Sequence, residues 1–420
     1  YHQPHTAYQT RFCLSLFVLP SCDPSTDPCV AASASSLSWE AAETFAGHAQ
    51  RLQRGLEVES RRWIDSPDAL KQPILRAWVA VRLHEPLYET AGSTDIPASV
   101  IHLWKGWLSH DSGDLARSHD HFARAWAAFE SSHPVELRAL RADVALGLGR
   151  THTRSGHWHV ARDWLLQALA LARRANDDAL CVRAYGALGE LLLRAGQPEA
   201  AWMCLSSAYN LLPAGSGQRP RQLNYLGTTL ARLGEHLRAE SVLMTALHMA
   251  RDLDDKPSQW HAAARLCFLD NKSNDVRLTR GLVAHPDDNA EYAPAALGYW
   301  CLGNARMLFG KTPANRSTRE VVRWLDRADE AFSAAPLPFE RCWSGQWRYR
   351  AARDTVAWAA AKESAIVHTR LPIIPPPAPW GVIDGNIAQL DLPPGNGFAN
   401  MLTLAETDEA LMRLDTLFFV

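Results

Sequence analysis

Three stretches of this chain superpose residue type on residue type. Each begins with Leu-Gly. A Gly follows seven residues later, an Ala five after that, a Leu four further on and an Ala three beyond. The first copy is Leu148-Gly149, Gly156, Ala161, Leu165 and Ala168. The second is Leu188-Gly189, Gly196, Ala201, Leu205 and Ala208, and the third is Leu226-Gly227, Gly234, Ala239, Leu243 and Ala246. Successive copies start 40 and then 38 residues apart, a period that belongs to stacked solenoids. Small residues at the Leu-Gly step and at the Ala let two antiparallel helices approach closely, with the Leu filling the seam. The intervening Gly supplies the backbone freedom to leave the first helix. One such pair cannot cover its own apolar face, so neighbours must stack on both sides.

The pattern resembles the tetratricopeptide repeat in its lengthened form of roughly 40 residues, as found in kinesin light chains and in the sensor regions of large bacterial regulators. The second copy carries Tyr185 where the family often has Trp, and it ends in Pro213. The resemblance covers residues 142–250. Weaker copies flank it, one with Gly106, Gly113, Phe122 and Ala125, the other with Leu302-Gly303, Gly310, Leu325 and Ala328. A degenerate copy between them has a helical Trp260–Asp270 but Asn274 where Gly is expected. The implied fold class is all-α, a right-handed α-α superhelix with irregular terminal segments.

A solenoid of this length is one continuous body of repeats. A hydrophobic content of 47% with 21% charged residues fits a packed protein, not a disordered one. The net charge of −2 gives no global attraction to nucleic acid or to an anionic membrane. No run reaches ~18 uninterrupted apolar residues, so no membrane span is expected. Among the basic residues six are Lys and 37 are Arg, which with the abundance of Ala suggests a bacterial, GC-rich genome. Cys181, Cys204, Cys267 and Cys301 fall in apolar helical segments and read as small buried hydrophobes.

Three regions follow from the pattern. Residues 1–36 lack the helical period. Phe12–Leu19 reads either as a buried strand or as the apolar part of an export signal, with Arg11 before it and Leu19-Pro20-Ser21-Cys22 as a poor lipoprotein site. Residues 37–361 form the helical repeat domain, with Ser38 and Ser66 or Asp68 as candidate caps. In 362–420, Pro372, Pro375-Pro376-Pro377, Pro379, Pro393 and Pro394 exclude a long helix. That run is expected to be extended and to lie as a strap over the last repeats, followed by a short helix at Glu406–Leu414.

Catalytic signatures are missing. Ala305–Thr312 matches a loose phosphate-loop pattern, but the device needs a Gly-rich loop between strand and helix, and here Arg306-Met307-Leu308-Phe309 continues a helical repeat. His110, His119 and His121 form one histidine cluster and His152, His157 and His159 another. Two His two apart on a helix diverge by about 200°, so these read as surface or interface residues, not as metal ligands. Asp252, Asp254 and Asp255 read as solvated turn residues. No metal, cofactor or catalytic residue is expected.

The functional clue is an arginine ladder. Arg154, Arg194 and Arg232 each stand two residues before a turn Gly, and Arg150, Arg183 and Arg221 enlarge the basic surface. In the resembled family this place on the first helix borders the concave groove where peptides bind. Guanidinium forks suit carboxylates and phosphates, so the expected ligand is an acidic peptide, a chain terminus or a phosphorylated segment. The plainer alternative is that these Arg residues stabilise helix C-termini. Trp104, Trp107 and Trp300 are expected mainly in the core. The resulting expectation is a non-enzymatic, cytoplasmic scaffold or sensor module of a bacterial regulator. An envelope-associated, periplasmic or lipid-anchored assembly factor and a regulatory region of a larger signalling enzyme are the alternatives.

Overall fold

Glycine and leucine of the repeated pattern meet face to face. In the computed structural model of the chain, a Cβ placed on Gly149 would stand 2.6 Å from Leu165, and one on Gly227 would stand 2.6 Å from Leu243. Gly189 faces Leu205 even more closely, and Gly106 meets Phe122 in the same way. Each of these pairs is sixteen residues apart in sequence. Leu165, Leu205, Leu243 and Phe122 are fully buried, and each such side chain contributes about 2–3 kcal/mol by leaving water. The small residue on one helix and the large one on its partner interlock, which draws the two backbones together.

The structure describes residues 98–131, 138–269, 294–309, 317–334, 338–368 and 370–377, with single positions at 79, 390, 392, 399 and 402. All belong to one unit, Ser38–Val420. Readings placed on residues 1–36, on the caps before residue 98, on Asn274, on Gly310–Thr312 and on Glu406–Leu414 lie outside them. Among the described residues every regular element is a helix. They are α1 (Ala98–Asp111), α2 (Leu115–Ser131), α3 (Arg138–Arg154), α4 (Trp158–Arg174), α5 (Asp178–Arg194), α6 (Pro198–Leu211), α7 (Arg219–Arg232), α8 (His236–Asp252), α9 (Lys256–Leu269), α10 (Pro294–Phe309), α11 (Thr318–Ala334), α12 (Pro338–Ala352) and α13 (Thr355–His368). Consecutive helices pack as antiparallel-type hairpins, and each hairpin stacks on the next, giving the all-α repeat solenoid.

Turn chemistry explains why the helices stop where they do. Gly113, Gly156, Gly196 and Gly234 all take φ between +76 and +83. After the last three, the next amide reaches back to the first carbonyl of the closing turn. His157 donates to His152 at 3.0 Å, Gln197 to Leu192 at 2.8 Å and Glu235 to Leu230 at 2.9 Å. This is the left-handed C-terminal cap that favours Gly. Between hairpins the same bend is made by Asn176 and Asp254, each at φ 51. Asp252 and Asp254 are exposed, as read from the sequence, whereas Asp255, like Asp177, starts a helix: Asp177 and Asp255 accept from the Leu180 and Ser258 amides at 2.9 and 3.1 Å.

First helices of successive hairpins (α1, α3, α5, α7, α9) touch one another, whereas successive second helices are held apart by them. The first helices thus line the concave side of the stack. A last hairpin, α12–α13, escaped the sequence pattern because its close contact pairs Gly345 with Ala361 where earlier copies carry Leu or Phe, though the sixteen-residue spacing is kept. In the downstream copy the tight contact is Gly298 against Phe332, while Gly303 meets Ala264 of α9. The phosphate-loop match is helical through Phe309, with Ala305, Met307 and Leu308 buried.

The proline-rich segment makes a contact that the sequence did not suggest. Residues 370–377 have no helix or strand, as their prolines require, and they reach the second hairpin. The buried indole of Trp164 donates to the Ile374 carbonyl at 2.6 Å, and Arg162 donates to the Leu390 carbonyl at 2.8 Å. Ile374 follows His368 by six residues, a span of about 20 Å at most. The end of α13 therefore lies within that distance of α4, so the array of hairpins curls back toward its own second repeat.

Candidate functional site

The repeat puts charged residues of the first helices in rows. Two residues before the turn Gly stand Arg154, Arg194 and Arg232. Six before it stand Arg150, Glu190 and Thr228, and thirteen before it stand Asp143, Arg183 and Arg221. Adjacent members of a row lie on adjacent helices α3, α5 and α7, so the rows run across the concave face.

Most of this charge is neutralised within the protein. Arg154 donates to the His110 carbonyl at 2.9 Å, and Arg232 donates to the Leu193 carbonyl. Both acceptors are the penultimate residues of the preceding first helices, so these two ladder arginines cap the C-terminus of the neighbouring repeat. Arg194 instead turns to Glu190 one helical turn back, at 3.3 Å, with both side chains 15% exposed. Arg183 donates to Asp143 at 2.8 Å, and that carboxylate is fully buried. Arg183 also lies 5.0 Å from the ring centre of Trp107, with Arg150 at 5.8 Å from the same ring. Trp107 and Trp300 are buried in the core, as expected.

Glu190 is the electrostatic centre of the face. Burial favours its neutral acid, but Arg194 outweighs burial, helped by Arg150, Arg221 and Arg154, and the carboxyl is held down at about 2. Its second oxygen accepts from the Tyr225 hydroxyl at 3.4 Å. For Arg150 the balance runs the other way. Burial and then the like charge of Arg221 lower its pKa, with Glu190 opposing. Arg221 is exposed beside Tyr225, which raises its pKa. Further along, Arg265 donates to Thr228 at 2.6 Å and lies 5.6 Å from the Tyr225 ring centre. Tyr299 donates to the buried Glu340 at 3.1 Å. Glu340 and Tyr299, after Glu190, help to hold the charge of Arg194 against its burial.

The sequence had singled out all six arginines, and the structure brings them to the first helices. It did not reveal Tyr225, Arg265, Tyr299 or Glu340, because these occupy no common row and converge only through curvature. The histidine clusters also regroup. His119, His152 and His157 are buried against one another, with ring centres 5.2 and 5.7 Å apart, while His102 pairs with His121 at 3.2 Å. His110, His119, His152 and His157 are core residues and not surface ones, whereas His121 is half-buried and His159 is exposed, as read from the sequence. Burial, then His119 and His157, push His152 down to about 3. Among the described residues no three His, Cys, Asp or Glu are placed to hold a metal ion, and no helix is long and apolar enough to cross a membrane. Cys301 is buried and its thiol is pushed up to about 12, which leaves it unreactive.

Comparison with known proteins bears on the fold. No curated protein sequence matches the chain. Among solved structures, a Rap protein complexed with competence and sporulation factor aligns over 79% of this chain and 98% of its own, at 11% identity and a TM-score of 0.53. The Rap conjugation gene regulator of plasmid pLS20, in complex with a Phr peptide, aligns over 78% of this chain and 94% of its own, at 12% identity and a TM-score of 0.48. The family model described as tetratricopeptide repeat matches residues 140–214, which hold α3 to α6. The chain therefore carries tetratricopeptide repeats, matched in sequence over residues 140–214 and continued in fold by the helical hairpins on either side.

Proposed function

We propose that this protein is a non-enzymatic peptide-binding scaffold, the sensor part of a bacterial regulator, which takes an acidic peptide against its first helices. The observation that carries the reading is the gathering of Arg150, Arg154, Arg194 and Arg221 near the carboxylates Glu190 and Asp111 on the concave side. Such a surface holds more positive than negative charge at its centre, inside walls that exclude much of the solvent, and there guanidinium contacts to carboxylates gain strength. The packing of small residues against large ones supports a binding role, since it sets the first helices side by side along one face. The fold in the Rap protein, solved with competence and sporulation factor, adds support by showing such an array holding a partner.

The test is a fluorescence anisotropy screen of short acidic peptides against composition-matched neutral ones, followed by hydrogen exchange. Acidic peptides are expected to bind more tightly, with added protection confined to α3, α5 and α7. Equal affinity for neutral peptides, or protection confined to the second helices, would remove the reading.

A further inference from the structure

Trp164 is fully buried on α4, a second helix and so not one of those that line the concave side. A buried indole N–H needs an acceptor, and this one takes the Ile374 carbonyl at 2.6 Å. Its ring meets Trp126 of α2 edge to face, with ring centres 4.9 Å apart, so the two aromatics bridge successive second helices. The form of the segment that reaches this pair is set by its sequence. Pro372, Pro375, Pro376 and Pro377 fix their own φ at about −65° and push the residue before each of them into extended backbone. Within 371–377 only Ile373 escapes both constraints, which drives the segment toward the polyproline II form with its three residues per turn. Leu371 and Ile374, one such turn apart, pack against the core, whereas Pro372, Ile373, Pro375 and Pro377 are exposed.

We infer that this side of α4 is a recognition site for extended proline-rich segments, with residues 371–377 as its resident ligand in cis, and that a proline-rich segment of another protein takes the same place when the strap leaves. The recognition is of a kind that any such segment satisfies. The hydrogen bond goes to a main-chain carbonyl, that of an X-Pro amide, and the aromatic pair offers an apolar surface to side chains one turn apart. A polyproline II segment also has little chain entropy to lose on docking. The resident strap is held lightly. Among the described residues Trp164 supplies the one hydrogen bond to 371–377, and four of the seven side chains are exposed. Arg162 is not part of the site. It stands two residues from Trp164 and so about 200° round α4, where it donates to the Leu390 carbonyl and is held by Asp163 and His159. That second anchor keeps the chain near α4 while 371–377 exchange.

The probe is a fluorescein-labelled peptide copying residues 369–379, titrated into the full chain and followed by anisotropy. The tethered strap competes at a high effective concentration, so the wild type should bind the peptide weakly. Leu371→Asp with Ile374→Asp vacates the site and should tighten peptide binding at least about tenfold. Pro375→Gly, Pro376→Gly and Pro377→Gly together loosen the strap without bringing charge to the core, and should tighten binding in the same direction. Adding Trp164→Phe to either loosened chain keeps an aromatic ring but deletes the donor, and should weaken the peptide about fivefold. The same peptide with alanine at every proline position should not bind. Absence of binding to both loosened chains, equal affinity in these and in the wild type, or binding indifferent to Trp164→Phe overturns the site. So does an alanine peptide that binds as tightly as the proline one. None of these outcomes touches acidic-peptide binding at the first helices, which stands or falls by its own assay.

Discussion

Glu190→Gln is the substitution whose outcome the electrostatics decide most sharply. Two opposed effects act on this carboxylate. Burial alone would favour the neutral form, so removing the charge would stabilise the fold. The surrounding Arg194, Arg150, Arg221 and Arg154 favour the ionised form, and they prevail, taking the pKa from 4.5 to about 2. A fall of two to three pH units in the folded state alone amounts to about 3 kcal/mol of stability at neutral pH. Both partners of the Glu190–Arg194 pair are only 15% exposed, so solvent screening removes little of it. Because the folded pKa is depressed, this contribution is complete above the unfolded value near 4.5 and is lost as pH falls toward 2. Urea unfolding followed by far-UV circular dichroism checks both parts. Glu190→Gln should cost about 3 kcal/mol at pH 7 and only about 2 at pH 3.5, where the unfolded carboxyl is mostly protonated. A variant as stable as the wild type at pH 7, or a loss that does not shrink with acid, would refute the dominance of the arginines over burial.

Four further outcomes follow from the packing. Gly189→Ala should cost about 1–3 kcal/mol through its collision with Leu205, and Leu205→Ala in the same chain should recover part of the backbone fit, as thermal unfolding of the single and double variants would show. Gly196→Ala meets no neighbour but must hold φ +76, so its smaller loss, about 1 kcal/mol, should not respond to any change at Leu205. His152→Gln should flatten the acid sensitivity of folding: the buried imidazole stays neutral to about pH 3 while the unfolded one takes a proton below about 6.5, so wild-type stability falls between those values as pH drops. Trp164→Phe deletes the indole donor to Ile374 and should raise amide exchange and protease cleavage around residues 370–377 while leaving the α5–α6 hairpin protected.

The repeat was legible because it rests on local rules. A Gly that must adopt positive φ, a small residue facing a large one sixteen positions on, and a period near 40 can all be read along the chain, and Gly156, Gly196 and Gly234 do occupy equivalent bends. The same reading failed where the rule is met by another residue: Ala361 in place of Leu hid the α12–α13 hairpin, and Asn176 made a Gly-type bend without Gly. Arginines could be located by sequence, but their counter-charges could not. That Arg154 reaches a carbonyl of α1 and that Asp143 lies buried beneath Arg183 depend on how one hairpin is offset from the next. Periodicity along a chain determines which side of each helix is apolar, and so which helices pair. How far the stack curves is set by the sum of many inter-helix contacts, and only that curvature carries Arg194 into the field of Glu340 and brings the proline strap from α13 to Trp164.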